Sequence, residues 1–432
     1  MQRDIMGVLE AWKEAPARKP LLLYGARQTG KSYLLGQFGQ ENFARTASFD
    51  LERQASARAA FEGDLDATAI ISRLSQVASW RIDPSCDLIV LDEVQASNRA
   101  LASLKYLAEG LPSAHIAAAG SLLGVAVSRE GFSAPVGKVQ VATMLPMTFP
   151  EFLHATGNEL VAEGIRASFE TGAAYALHER ALELFGTYLL VGGMPEAVAA
   201  YIADGFDAAR DVQANIHDLY IADMAKYATP FETARIREAW ASIPSQLAKE
   251  NHKFQYKAVR NGGRASRYEA ALDWLETAGL AIRCTQVTSG QSPLALQENR
   301  AAFKIYQADT GLLAYSMGLG PALLFDEQAR RNANLGAIAE NYVAQALVAA
   351  GFKPRYWVSQ GRAEVDFLVE DAQGRAVPIE VKSSDNVRSR SLAVYCDKYG
   401  PARAIRLSTR NFGYDGKVRS VPLYAAFCLE GL

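Results

Sequence analysis

The chain has 432 residues, 49% of them hydrophobic and 21% charged, with a formal net charge of −2. That length provides for two to four domains, and that balance excludes a disordered or fibrous chain. The near-neutral charge excludes a globally basic surface, so a nucleic-acid partner requires a local patch.

Up to residue 150, short apolar runs alternate with helix-period segments. Strands are predicted over 20–24, 45–50, 87–92, 115–119 and 139–143, and a helix over 97–110 with Ser97 as its cap. This alternation predicts a parallel sheet covered by helices on both faces. Residues 150–230 are expected to be mostly helical. Pro150 suits a first helical position, and a long Ala/Leu-rich helix over 174–191 stops at Gly192-Gly193-Met194-Pro195. Over 231–330, helices at 233–248 and 266–278 precede a strand at 280–284, an order seen in winged helices. The outward face of the second helix carries Glu269, Asp273 and Glu276, which DNA phosphates would repel. That helix is therefore expected to pack into an interdomain core rather than read a groove, with Arg260, Arg264 and Arg267 as the nearby residues that favour DNA contact. In the last hundred residues a helix over 336–347 is followed by strands at 355–358, 364–369, 377–382 and 403–407. From 351 to 432 there are 13 Lys and Arg against 9 Asp and Glu, a mild basic excess compatible with a phosphate-rich partner.

Residues Gly25-Ala26-Arg27-Gln28-Thr29-Gly30-Lys31-Ser32 follow the first strand and open a helix. This is the setting in which a glycine loop turns backbone N–H groups onto phosphate oxygens at a helix N-terminus. Lys31 is expected on the β- and γ-phosphates and the Ser32 hydroxyl on Mg²⁺. The apolar run Leu88-Ile89-Val90-Leu91 ends in Asp92 and Glu93. In open α/β sheets the chemistry gathers at the carboxyl ends of the strands. Asp92 is expected to help hold Mg²⁺, and Glu93 to orient or deprotonate the attacking water. Ser121, at the end of a third strand, is a candidate sensor of the γ-phosphate; a plain strand-end turn explains it nearly as well.

A second constellation lies near the C-terminus. In Glu364-Val365-Asp366-Phe367 and Ile379-Glu380-Val381-Lys382, alternating strand residues share a face. A turn near Gln373-Gly374 would bring Asp366 beside Glu380 and Lys382, with Glu340 joining from the preceding helix. Two carboxylates and a carbonyl suit Mg²⁺, and Lys382 suits a water or developing charge beside it. An acid, a gap of about a dozen residues and Glu-x-Lys is the spacing of PD-(D/E)xK nucleases; an edge hairpin with a solvated Glu–Lys pair is the alternative. An active nuclease and an inactive relic both remain open at this point.

Taken together, these segments resemble a prokaryotic family of AAA-type P-loop ATPases with a C-terminal restriction-endonuclease-like domain of unknown function. The resemblance rests on 25–32, Leu91-Asp92-Glu93-Val94-Gln95, Gly120-Ser121-Leu122-Leu123, Leu145 to Phe152, Gly192-Gly193-Met194-Pro195-Glu196, Asp309-Thr310-Gly311-Leu312 and the C-terminal set. It implies an α/β fold: a P-loop ATPase core over 1–150, a helical lid over 151–230, a winged-helix-like region over 231–330 and a nuclease-like domain over 331–432. ATP and Mg²⁺ are the expected ligands and DNA is a candidate partner, with oligomeric state left open, a homo-oligomer included. The rival expectation is a nucleotide-gated DNA- or protein-binding module. One departure concerns the residue before the Leu-Pro block: the family usually has Arg, and here Lys138 keeps the charge without the planar fork. Arg129 is a substitute candidate for an arginine finger. The cysteines Cys86, Cys284, Cys396 and Cys428 are scattered, which argues against zinc and disulfides. No apolar leader or membrane-length run is seen, so a cytoplasmic location without membrane contact is expected.

Overall fold

The structure is a computed structural model that describes residues 1–121, 137–226, 228–249, 253–325, 335–359, 363–383 and 390–432. The chain divides into two compact units, one built from residues 2–145 with 277–279, the other from 146–276 and 280–432 with Met1. Arg129 and the pair Leu122-Leu123 lie outside the described residues.

The first unit is a five-stranded parallel sheet of β1 (Leu21–Tyr24), β2 (Thr46–Asp50), β3 (Leu88–Asp92), β4 (His115–Ala119) and β5 (Gln140–Thr143), in the order β2-β3-β4-β1-β5. Strand alternation fixes two cores. Leu21 and Leu23 pack with Leu88, Val90, Trp12, Leu35 and Phe38 on one face. Leu22 packs with Ile89, Leu91, Phe49, Ile70 and Leu104 on the other. The register sets Leu21 beside Ala117 and beside Gln140, and Asp50 beside Asp92. All five strands end at one edge, and β4 lies between the strand that feeds the glycine loop and the strand that ends at Asp92.

The second unit begins with helices and ends in an eight-stranded mixed sheet. Its strands are β6 (Ala281–Val287), β7 (Glu298–Gln307), β8 (Arg355–Ser359), β9 (Ala363–Glu370), β10 (Ala376–Val381), β11 (Ala404–Ser408), β12 (Gly413–Asp415) and β13 (Val418–Pro422), in the order β12-β13-β11-β10-β9-β8-β6-β7. The helices Pro230–Leu247 and Ala265–Thr277 precede β6 in the order expected, while the short helix Tyr256–Val259 and strand β7, which forms a hairpin with β6, were not expected. The hairpin is not a free wing, because β6 pairs in parallel with β8 and joins the C-terminal sheet. The sheet therefore crosses the boundary expected at 330. The acidic face of helix Ala265–Thr277 is occupied by Arg283, which donates to Glu276 at 2.6 Å, Glu269 at 2.7 Å and Asp273 at 2.9 Å.

The long helix expected over 174–191 runs only from His178 to Val191. Its first residues are drawn into a tertiary bridge. The Tyr175 N–H donates to Asn411 Oδ1 at 2.8 Å, and Asn411 Nδ2 donates to the Tyr175 carbonyl at 2.9 Å. The Gly192-Gly193 break and Asp309-Thr310-Gly311 prove to be two halves of one contact. A Cβ on Gly192 would lie 2.4 Å from Asp309 Oδ1, and one on Gly193 would lie 2.1 Å from the Met147 carbonyl. Asp309 accepts from the Gly193 N–H at 2.6 Å and the Leu312 N–H at 2.9 Å. Burial pushes its carboxyl up to about 6, against those N–H bonds, which favour the charged form.

Candidate functional sites

At the end of β1 the backbone turns at Gly25, where φ is +152°. A Cβ there would lie 2.3 Å from the Met144 carbonyl oxygen, so a side chain does not fit. The Thr29 hydroxyl closes the loop by donating to the Ala26 carbonyl at 2.9 Å. Arg3, which sequence reasoning missed, braces it from outside: its guanidinium donates to the Thr29 carbonyl at 3.1 Å and the Leu145 carbonyl at 2.6 Å. The helix Lys31–Asn42 begins at once, and its N-cap, Gly30, has no capping side chain. Its first N–H groups are thus without a side-chain acceptor, which suits an anion.

Lys31 is 6% exposed. Its ammonium donates to the carbonyls of Ala26 at 2.7 Å and Gly25 at 3.0 Å. Burial lowers its pKa to about 8, while Glu93 and then Asp92 act to raise it. Two neutral carbonyls are weaker partners than a phosphate for a cation this desolvated. At the end of β3, Glu93 adopts left-handed backbone with φ +49°, uncommon outside glycine. Its N–H donates to Asp92 Oδ1 at 3.0 Å, and its carboxylate accepts from the Gln95 amide. Ser121 is buried just past β4, and Ser32 is exposed at the helix start. Lys31, Asp92, Glu93 and Ser121 thus stand at the carboxyl ends of adjacent strands. Lys138 pairs with Glu109 at 2.9 Å.

In the second unit β9 and β10 are antiparallel about a turn with Gly374 at φ +71°. Phe367 is registered with Ile379, which sets Asp366 beside Glu380. Asp366 Oδ2 accepts from the Val381 N–H at 2.8 Å. Lys382 Nζ lies 2.6 Å from Glu380 Oε1, while Glu380 Oε2 is buried without a hydrogen-bond partner. Burial, then Glu340 and Glu380, drive the Asp366 carboxyl well above its usual range; Lys304 opposes the shift. Burial would lower Lys382, but Glu380 outweighs it and the net shift is upward. Glu340, expected beside them, is engaged by two residues of β7 that sequence reasoning missed. Lys304 Nζ is 3.2 Å from Glu340 Oε2, and the Tyr306 hydroxyl donates to the same oxygen at 2.9 Å. A lysine inside the apolar run Phe303-Lys304-Ile305-Tyr306 was the available signal. Among the described residues, no three His, Cys, Asp or Glu side chains are gathered as a metal-binding group.

Residues 17–153 match the family model of an AAA domain. This segment is similar to AAA domains. Residues 182–323 and 335–425 match two further families, each described as a domain of unknown function (DUF8612 and DUF4143). No curated protein matches the sequence. Among solved structures, the chain is similar to a Walker-type ATPase of Pyrococcus abyssi at 16% identity, covering 72% of this chain and 95% of that one with a TM-score of 0.43. It is also similar to the Aeropyrum pernix ORC2 protein in ADPNP–ADP complexes at 12% identity, 77% and 96% coverage and a TM-score of 0.36. A third likeness is to the Aeropyrum pernix ORC1 protein in complex with DNA, at 13% identity, 74% and 93% coverage and a TM-score of 0.30. The AAA-type domain carries the 25–32 loop, Asp92, Glu93 and Ser121 within its matched span. No helix among the described residues is long and apolar enough to cross a membrane.

Proposed function

We propose that the AAA-type domain binds ATP with Mg²⁺ and hydrolyses it, and that nucleotide state governs a C-terminal site acting on DNA. The observation that carries the first part is Lys31, a buried ammonium resting on two carbonyls of a loop whose path excludes a side chain at Gly25. On nucleotide binding Lys31 exchanges those carbonyls for β- and γ-phosphate oxygens, while N–H groups of Ala26, Arg27, Gln28, Thr29 and Gly30 close around the phosphates. Ser32 and Asp92 would hold Mg²⁺, which neutralises phosphate charge when bound. Glu93 orients the attacking water and takes its proton, and the Ser121 hydroxyl contacts the γ-phosphate. ATP turnover and binding measured for wild type, Lys31→Ala and Glu93→Gln test this. Lys31→Ala should lose both, and Glu93→Gln should keep binding while turnover falls by about 10²–10⁴-fold. Unchanged turnover in Lys31→Ala would refute the assignment.

For the C-terminal site the supporting observation is the buried, unpartnered Glu380 Oε2 beside Asp366. Asp366, Glu380 and the Val381 carbonyl would hold a divalent cation, which polarises a phosphodiester when bound, and Lys382 would position the attacking water. The rival is a nucleotide-gated DNA- or protein-binding module with an inactive nuclease fold. Plasmid cleavage with Mg²⁺ or Mn²⁺ that disappears in Glu380→Ala and Lys382→Ala supports the nuclease. ATP turnover with plasmid and single strands left intact supports the rival.

A further inference from the structure

Lys304 is 1% exposed and stands between two carboxylates, 2.8 Å from Glu364 Oε1 and 3.2 Å from Glu340 Oε2. Tyr306, two residues along β7 and therefore on the same face, adds its hydroxyl to that Glu340 oxygen. Lys253 lies 3.8 Å from the other oxygen of Glu364. Burial by itself would discharge Lys304, but Glu340, Tyr306 and Glu364 outweigh it and hold the ammonium well above its usual range. An ammonium paired with two carboxylates thus sits among the acids that a divalent ion would otherwise bridge. The demand on the other side of the cluster is different. Asp366 Oδ2 has one N–H, Glu380 Oε1 has Lys382, and Glu380 Oε2 is buried at a residue 2% exposed with no partner. The oxygen with an unmet requirement belongs to Glu380, not to Glu340 Oε2, which Lys304 and Tyr306 already serve.

We infer that Lys304 is a built-in cation that withdraws Glu340 and Glu364 from metal binding and confines a divalent ion to Asp366 and Glu380. This rests on the reading of Asp366 and Glu380 as metal ligands, and it assigns Lys304 as a positioning residue that sets the number of ions at one. A site bridged by Glu340 as well would take that carboxylate from Lys304, leaving a buried ammonium with Glu364 as its one remaining carboxylate.

The test is Mn²⁺ binding by the full chain without nucleotide, read from the paramagnetic resonance of free Mn²⁺. An Asp92→Asn background keeps the P-loop site from contributing. The parent protein should bind one ion. Glu380→Gln should weaken binding by at least about tenfold, whereas Glu340→Gln should hold affinity within about threefold. The amide oxygen that Glu340→Gln introduces still accepts from Lys304 and Tyr306. Glu364→Gln, at a partly exposed position, serves as an independent variant should the first fail to fold, and it too should retain the ion. Lys304→Arg, which keeps the charge, should leave the count at one. Equal loss in Glu340→Gln and Glu380→Gln, or two ions in the parent, would overturn the role of Lys304 while leaving the metal reading intact. No Mn²⁺ binding by the parent would overturn both.

Discussion

The desolvation of Lys31 makes nucleotide binding a proton-linked event. In the free protein its ammonium rests on two carbonyls, and burial lowers its pKa to about 8. Exchange of the carbonyls for phosphate oxygens surrounds the same ammonium with anionic charge and raises the pKa. A group with a higher pKa in the complex than in the free protein takes up a proton on binding. Affinity is therefore level below pH 8 and falls as pH rises above it. With one proton involved, affinity at about pH 9 should be lower by about tenfold, or about 1.4 kcal/mol. Titration with a fluorescent ATP analogue from about pH 7.5 to about pH 9.5 reads the decline, and calorimetry in buffers of different ionisation enthalpy counts the proton. Lys31→Arg, whose guanidinium stays charged throughout, should show no decline. A wild-type affinity flat to the top of that range, with no proton uptake, would refute the reasoning.

Three more predictions rest on backbone and buried charge. Gly25→Ala should weaken ATP binding and cost about 1–3 kcal/mol of stability, because its Cβ meets the Met144 carbonyl in a backbone conformation side chains rarely adopt; melting and nucleotide titration check it. Asp309 has a folded pKa of about 6 against an ordinary 3.8, so the folded state holds the proton more tightly. Its contribution is fully present below pH 3.8 and is lost as pH rises through 6, a change of about 3 kcal/mol, and the difference in melting between wild type and Asp309→Asn should show that slope. Arg283→Ala should cost about 1–3 kcal/mol by leaving Glu269, Asp273 and Glu276 together on one helix face, with a urea midpoint as the measure and partial recovery expected at high salt.

The geometry of the candidate nucleotide site was legible because its information is contiguous. Strand, glycine turn and helix start occupy one short stretch, and the five strands of that unit fall where hydrophobic alternation predicts them. The order β9, turn, β10 was legible for the same reason, which is why Asp366 and Glu380 come together. What the sequence concealed depends on distant partners. Residues 174–177 have helical composition, yet Asn411 holds the backbone of Tyr175 outside the helix. Strand β7 carries Lys304 in an apolar run, and only pairing across the sheet shows which acids answer it. The Gly192-Gly193 and Asp309-Thr310-Gly311 motifs were visible as separate punctuation, but their mutual contact joins segments far apart in the chain.

The pairing of β6 with β8 has a practical consequence for anyone dividing this protein. The family match that begins at residue 335 starts after the hairpin β6–β7. A fragment cut there would leave β8 as a bare sheet edge with unpaired N–H and carbonyl groups, an invitation to self-association. It would also lack Lys304 and Tyr306, so Glu340 and Glu364 would lose the cation and the hydroxyl that attend them. Insolubility or altered metal affinity in such a fragment would report on the missing hairpin, and an expression boundary that preserves the sheet has to fall before β6.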